Sequence, residues 1–181
     1  MKAKKPLIVL VLTLLTLALL LPEAASAKVD TPDHHYAVSG EWSWWGDPDP
    51  NSFILDKVVG ITGEGELATA NAFFHGWEWG AWTGTFVGNS YEPLVAVGHR
   101  NGTLWAIITI NFTGTVRGVS GEATIRLTVN ALPGETMGGR WVILSGSGGL
   151  ERLHGMGTWV DKTPEGSQTG LADYSGEYWL H

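Results

Sequence analysis

The chain has no cysteine among its 181 residues. Disulfides, thiolate metal sites and thiol nucleophiles are therefore excluded, and the fold must rest on buried apolar surface alone. Charge is also sparse: only 16% of residues are charged, with 11 Lys and Arg against 18 Asp and Glu. A net charge of −7 repels nucleic acid and anionic membranes, and no basic run offsets it. Nucleic acid is not an expected partner. No long segment repeats its apolar residues at the helical period, which argues against a helical fold. There is no G-x-S-x-G frame around Ser147, no P-loop and no dinucleotide fingerprint, so the sequence implies no cofactor.

The amino terminus does carry a signal. Lys2, Lys4 and Lys5 precede an uncharged apolar stretch from Leu7 to Leu21, followed by Ala25-Ser26-Ala27. That order predicts a secretory signal peptide over residues 1–27, cleaved after Ala27, and a secreted or extracytoplasmic location. Left uncleaved, the segment would be an N-terminal anchor and the protein's one expected association with a membrane. Cleavage would remove three Lys and one Glu and leave a net charge of about −9.

Ten tryptophans and 25 glycines suit strands and tight turns. Residues 28–36 read as an irregular lead-in and 37–181 as one all-β domain. Its clearest segment is Glu122–Ala131, where Ala123, Ile125, Leu127, Val129 and Ala131 alternate with polar neighbours. Leu104–Thr113 repeats the pattern, with Leu104, Ala106, Ile108, Ile110 and Phe112 on one side. Period two places each set on one face of a strand. Other expected strands are Val38–Trp45, Ser52–Thr62, Glu66–Phe74, Trp77–Val87, Leu94–His99, Gly139–Ser145, Gly155–Val160 and Gly176–Leu180. Turns are expected at Asp47–Asn51, Gly63–Gly65, Gly88-Asn89, Asn101-Gly102 and Pro133-Gly134. About eight short antiparallel strands in meander order predict a closed barrel, which leaves no exposed sheet edge.

Two stretches resemble known barrels. Gly40-Glu41-Trp42 matches the G-x-W that opens the first strand of lipocalins and avidins. Gly139–Trp159, with Gly146, Gly148, Leu150, Leu153, Gly155 and Gly157 at their spacings, resembles a strand–turn–strand segment of allene-oxide-cyclase-like barrels. The resemblance implies a calycin-like barrel with an apolar interior. It carries no catalytic residues onto this chain.

Candidate sites follow from residue types. His75 and Glu78 flank Gly76-Trp77, and a tight turn there would make them a proton-transfer pair beside an aromatic wall. Trp42, Trp77, Trp79, Trp105 and Trp141, with Trp44 and Trp159, are candidates to line a ligand cavity; exposed, such rings would instead stack on sugars or a protein partner. Asp56-Lys57 interrupts an apolar strand, and the reading preferred here has that strand leaving the barrel end so that both are exposed. Asn101 and Asn111 stand in N-x-T acceptor patterns for glycosylation. Neither His34-His35 nor Asp47–Asn51 has the ligand set of a metal site. The expected function is that of an exported barrel that binds a small hydrophobic molecule or acts as a surface-associated binding protein. The alternatives are an isomerase or cyclase acting on a hydrophobic substrate through His75 and Glu78, and a carbohydrate- or protein-binding module using exposed tryptophans.

Overall fold

A computed structural model describes residues 34–46, 53–59 and 71–181. The expected signal segment, most of the lead-in, and the turns at 47–51 and 63–65 lie outside the described residues. Within them the protein is all-β. Nine antiparallel strands run β1 Tyr36–Gly46, β2 Phe53–Val59, β3 Asn71–Gly84, β4 Phe86–Gly98, β5 Leu104–Val116, β6 Val119–Ala131, β7 Gly138–Gly148, β8 Leu153–Asp161 and β9 Gly170–Leu180.

The strands pair in chain order from β3 to β9, and β1 closes the cylinder. One edge of β1 pairs with β9, from Tyr36↔Tyr178 to Trp44↔Gly170. Its other edge pairs with the second half of β3, from Gly40↔Gly84 to Gly46↔Glu78. The first half of β3 pairs with β2, beginning at Phe53↔Gly76. Eight strands thus form the closed barrel, and β2 takes over the edge of β3 that β1 leaves free.

Several expected turns are strand. The segments Glu66–Phe74 and Trp77–Val87 were expected as two strands, but β3 runs unbroken through His75-Gly76. Gly88-Asn89 also lies within a strand, β4, and the reversal falls at Gly84-Thr85, where Gly84 has φ 98°. The sheet neighbours explain this: β3 and β4 pair without interruption from Ala72↔Gly98 to Trp82↔Gly88. Between β5 and β6, the reversal is the two residues Arg117-Gly118, both at positive φ (48° and 82°). That is the backbone a tight hairpin requires, and glycine supplies half of it without strain. The Asn101-Gly102 hairpin forms as expected, with Gly102 at φ 83°.

Alternation sorts the side chains. Ile108, Ile110 and Phe112 of β5 and Ala123, Ile125, Leu127 and Val129 of β6 are buried inside, as their period predicts. One end of the barrel is filled by rings: Trp82, Phe86, Phe112 and Tyr174 pack with centroids 5.1–6.2 Å apart. Leu150, in the reversal between β7 and β8, and Leu153, the first residue of β8, are each 1% exposed and join this core.

Tyr174 ties the barrel across its seam. Its hydroxyl donates to the Thr83 carbonyl at 2.9 Å and accepts from the Phe86 amide at 3.0 Å. Tyr174→Phe removes one oxygen and leaves the Phe86 N–H buried and unpaired. The expected loss is about 1–3 kcal/mol of unfolding free energy, measured by chemical denaturation; a change near zero would show that water replaces the hydroxyl.

Candidate functional site

Opposite the ring-filled end, the barrel interior is open. A cavity of about 170 Å³ lies among Trp42 and Trp44 of β1, Phe74 and Glu78 of β3, Leu94 and Ala96 of β4, Ala106 and Ile108 of β5, Val129 of β6 and Trp159 of β8, with Leu104 and Met137 at its margin. Small residues at 96 and 106 leave the space that the tryptophans border. Trp42 and Trp44 are stacked, 4.5 Å apart, and Trp159 stands edge-on to both at 84° and 81°. Gly170 sits opposite Trp44 on β9, and a Cβ there would collide with the Trp44 indole.

Among the described residues that line this cavity, Glu78 is the one with an ionisable side chain. Directly across the β3–β4 ladder stands Glu92, which is completely buried. Glu92 Oε1 accepts from Trp42 Nε1 at 2.9 Å and from the Ser90 hydroxyl, and Ser90 Oγ accepts from Trp82 Nε1 at 2.9 Å. Glu92 Oε2 has no hydrogen-bond partner among the described residues. Space for this carboxyl exists because residue 80 is glycine: a Cβ on Gly80 would collide with Glu92 Oε1, Ser90 Oγ and Trp42 Nε1. Pro93, with no N–H to donate, interrupts the ladder to β5 at Glu92-Pro93.

Two carboxyls facing each other in an apolar interior resist ionisation. Burial pushes Glu78 up to about 7. Burial also pushes Glu92 up to about 7; the bonds from Ser90 and Trp42 oppose the rise, and the neighbouring Glu78 charge adds to it. The site is thus a carboxyl pair that changes charge near neutral pH.

His75 and Glu78 are not brought together. In an unbroken strand a separation of three puts them on opposite faces. His75 points outward, where its Nδ1 lies 2.8 Å from the Asp56 carboxylate. Asp56 is exposed, as the sequence reading preferred; the side chain of Lys57 lies outside the described residues. Among the candidate ligand-binding tryptophans, Trp42 borders the cavity, and Trp141 is buried in the core, its Nε1 bonded to the Thr158 and Ser175 carbonyls. Trp77, Trp79 and Trp105 alternate onto the outer face, where Trp79 packs 5.2 Å from Tyr91. Asn101 is exposed at its hairpin tip, and Asn111 is exposed on β5 with Nδ2 donating to the Tyr91 carbonyl at 3.3 Å.

The sequence reading missed Glu92 and Ser90 because it placed a turn at Gly88-Asn89. The signal was there in Phe86, Gly88, Ser90, Glu92, Leu94 and Ala96, which share one parity.

No protein-family model matches the chain, and no curated protein matches it. Among solved structures, it is similar to a protein of unknown function from the DUF3224 family of Shewanella oneidensis MR-1, with 12% identity, a TM-score of 0.55 and coverage of 82% of this chain and 98% of that one. It also matches the pterocarpan synthase dirigent protein GePTS1 at 10% identity and a TM-score of 0.47, over 82% of this chain and 92% of that one. The first likeness shows a shared fold.

The raised carboxyls set a pH dependence for stability. Between about pH 4.5, where an unfolded Glu titrates, and about pH 7, the folded state holds more protons than the unfolded chain. The contribution of this pair is therefore most favourable below that window and declines as pH rises through it. Glu92→Gln keeps an acceptor for Trp42 and Ser90 while removing the ionisation. Its stability relative to the parent should rise by about 2–3 kcal/mol between pH 4 and pH 8, read from paired melting curves; parallel curves would show that Glu92 does not titrate there.

Proposed function

We propose that the protein binds a small hydrophobic molecule inside the barrel. The observation that carries this reading is the unfilled cavity of about 170 Å³ bordered by three indoles, a phenyl ring and aliphatic side chains, with one carboxyl from Glu78 on its wall. A protein interior is normally packed to crystal-like density, so an unfilled apolar volume of this size is a feature to be explained. Its scale suits a ligand of benzene to indole size, well below that of a long-chain lipid. The amino-terminal segment 1–27 supports export of the protein, so that the ligand would be met outside the cytoplasm. The likeness of Gly139–Trp159 to allene-oxide-cyclase-like barrels supports a place for the chain in that group.

A second reading is favoured by the Glu78–Glu92 opposition. A carboxyl pair titrating near 7 at an apolar cavity suits proton transfer to and from a neutral substrate, which would make the protein an isomerase or cyclase with Glu78 as the group reaching the substrate.

Titration with indole or propylbenzene tests the binding reading, because Trp42, Trp44 and Trp159 report on the cavity. Tryptophan emission should change and saturate. Ala106→Leu, which fills the space, should weaken binding roughly tenfold or more while circular dichroism stays that of the parent. A flat response, or equal binding by the filled variant, would overturn the assignment. For the second reading, Glu78→Gln should reduce turnover of a small epoxide or enone by roughly a hundredfold or more, against an unchanged rate if the carboxyl has no part in it.

A further inference from the structure

We propose that the preferred occupant of this cavity is an organic cation, a small arylalkyl ammonium whose charged end meets Glu78 while its apolar body lies among the indoles. The inference rests on the binding reading above and specifies its ligand class.

Three observations converge on a positive charge. First, Glu78 and Glu92 face each other directly across the β3–β4 ladder. Like charges at opposed positions destabilise a sheet, and a buried carboxylate is ordinarily matched by a base. The ion pairs among the described residues are instead on the outside: His35 with Glu177, His75 with Asp56, and Lys162 with Glu41 and Asp173. None of them reaches the interior carboxyls. A cation entering the cavity would supply the missing counter-charge.

Second, Glu92 Oε2 is buried and accepts no hydrogen bond from any described residue. Its sister oxygen is fully engaged by Trp42 and Ser90. Glu92 stands across the ladder from Glu78, outside the cavity lining, so the wall that Glu78 presents is backed by a second acceptor and by no base among the described residues. An ammonium has three donors and no acceptor, whereas a carboxylate or ketone ligand would add acceptors to a place already in excess of them.

Third, the walls are largely aromatic. Trp42 and Trp44 are stacked, and Trp159 stands nearly perpendicular to both, so the indole planes bound the cavity in two directions. The face of an indole carries negative potential and attracts ammonium groups, most strongly where water is excluded. A neutral hydrocarbon would gain the burial but not this attraction. An anion would be repelled by the rings, by the carboxyl pair and by the net charge of −7.

Three isosteres of one size separate the possibilities: phenethylammonium, propylbenzene and phenylacetate, titrated by calorimetry and tryptophan fluorescence at pH 8. Phenethylammonium should bind roughly tenfold or more tightly than propylbenzene, and phenylacetate more weakly than both. Glu78→Gln should erase the preference for the cation while propylbenzene binding persists, which also shows that the variant is folded. Should that variant fail to fold, the parent protein at pH 5, where Glu78 is protonated, supplies the same comparison. Equal affinity for cation and hydrocarbon overturns the cation assignment and leaves the apolar cavity standing. Binding of none of the three overturns the cavity reading itself. Tighter binding of phenylacetate overturns the charge argument.

Discussion

The hydrogen bonds that β1 makes along both of its edges decide what is inside this protein. Pairing with β9 on one side and with β3 on the other turns an open meander into a cylinder, and closure gives each strand an inner and an outer parity. Strand alternation then does the rest. Trp42 and Trp44 of β1 are drawn inward together, and the opposed strand contributes Glu78, Gly80 and Trp82 to the same interior. Because the chain has no cysteine, no covalent link substitutes for this closure. The Tyr174 hydroxyl, bonded to Thr83 and Phe86 at the opposite end from the cavity, is one of the few polar ties across the seam.

Packing is divided along the barrel axis, and the division gives the site its character. Large rings meet at one end and exclude space there. At the other, Ala96 and Ala106 face tryptophans across the interior and leave a void. Two carboxyls stand at the boundary between the filled and the open parts. Glu92 is tolerated there because Trp42 and Ser90 donate to one of its oxygens, and Gly80 gives it room. Those bonds do not meet the whole requirement of a buried carboxylate, which is why its ionisation is displaced towards neutral pH.

Much of the fold was legible from residue order. The alternation in Leu104–Thr113 and Glu122–Ala131 gave the inner face of β5 and β6 residue by residue, and Asn101-Gly102 gave their neighbour's hairpin. The site was harder to read. Its strands β3 and β4 are broken up in sequence by glycines and a proline, and Gly76, Gly88-Asn89 and Pro93 all look like turn residues when taken locally. In the barrel they are held extended by neighbours on both sides, so tertiary pairing overrode local preference. His75 and Glu78 look adjacent in the chain only while a turn is assumed between them.

The sequence by itself determined an all-β domain, acidic and without sulfur links, whose alternating apolar residues had to share one interior. Those properties follow from composition and from a period of two, both local. Which tryptophans border the cavity, and that buried Glu92 stands opposite the Glu78 that lines it, was decided only by the register of β3 against β4 and by the closure through β1. Register is a relation between strands, and a shift of one residue in β3 would have turned Glu78 to water and left Glu92 without its opposite.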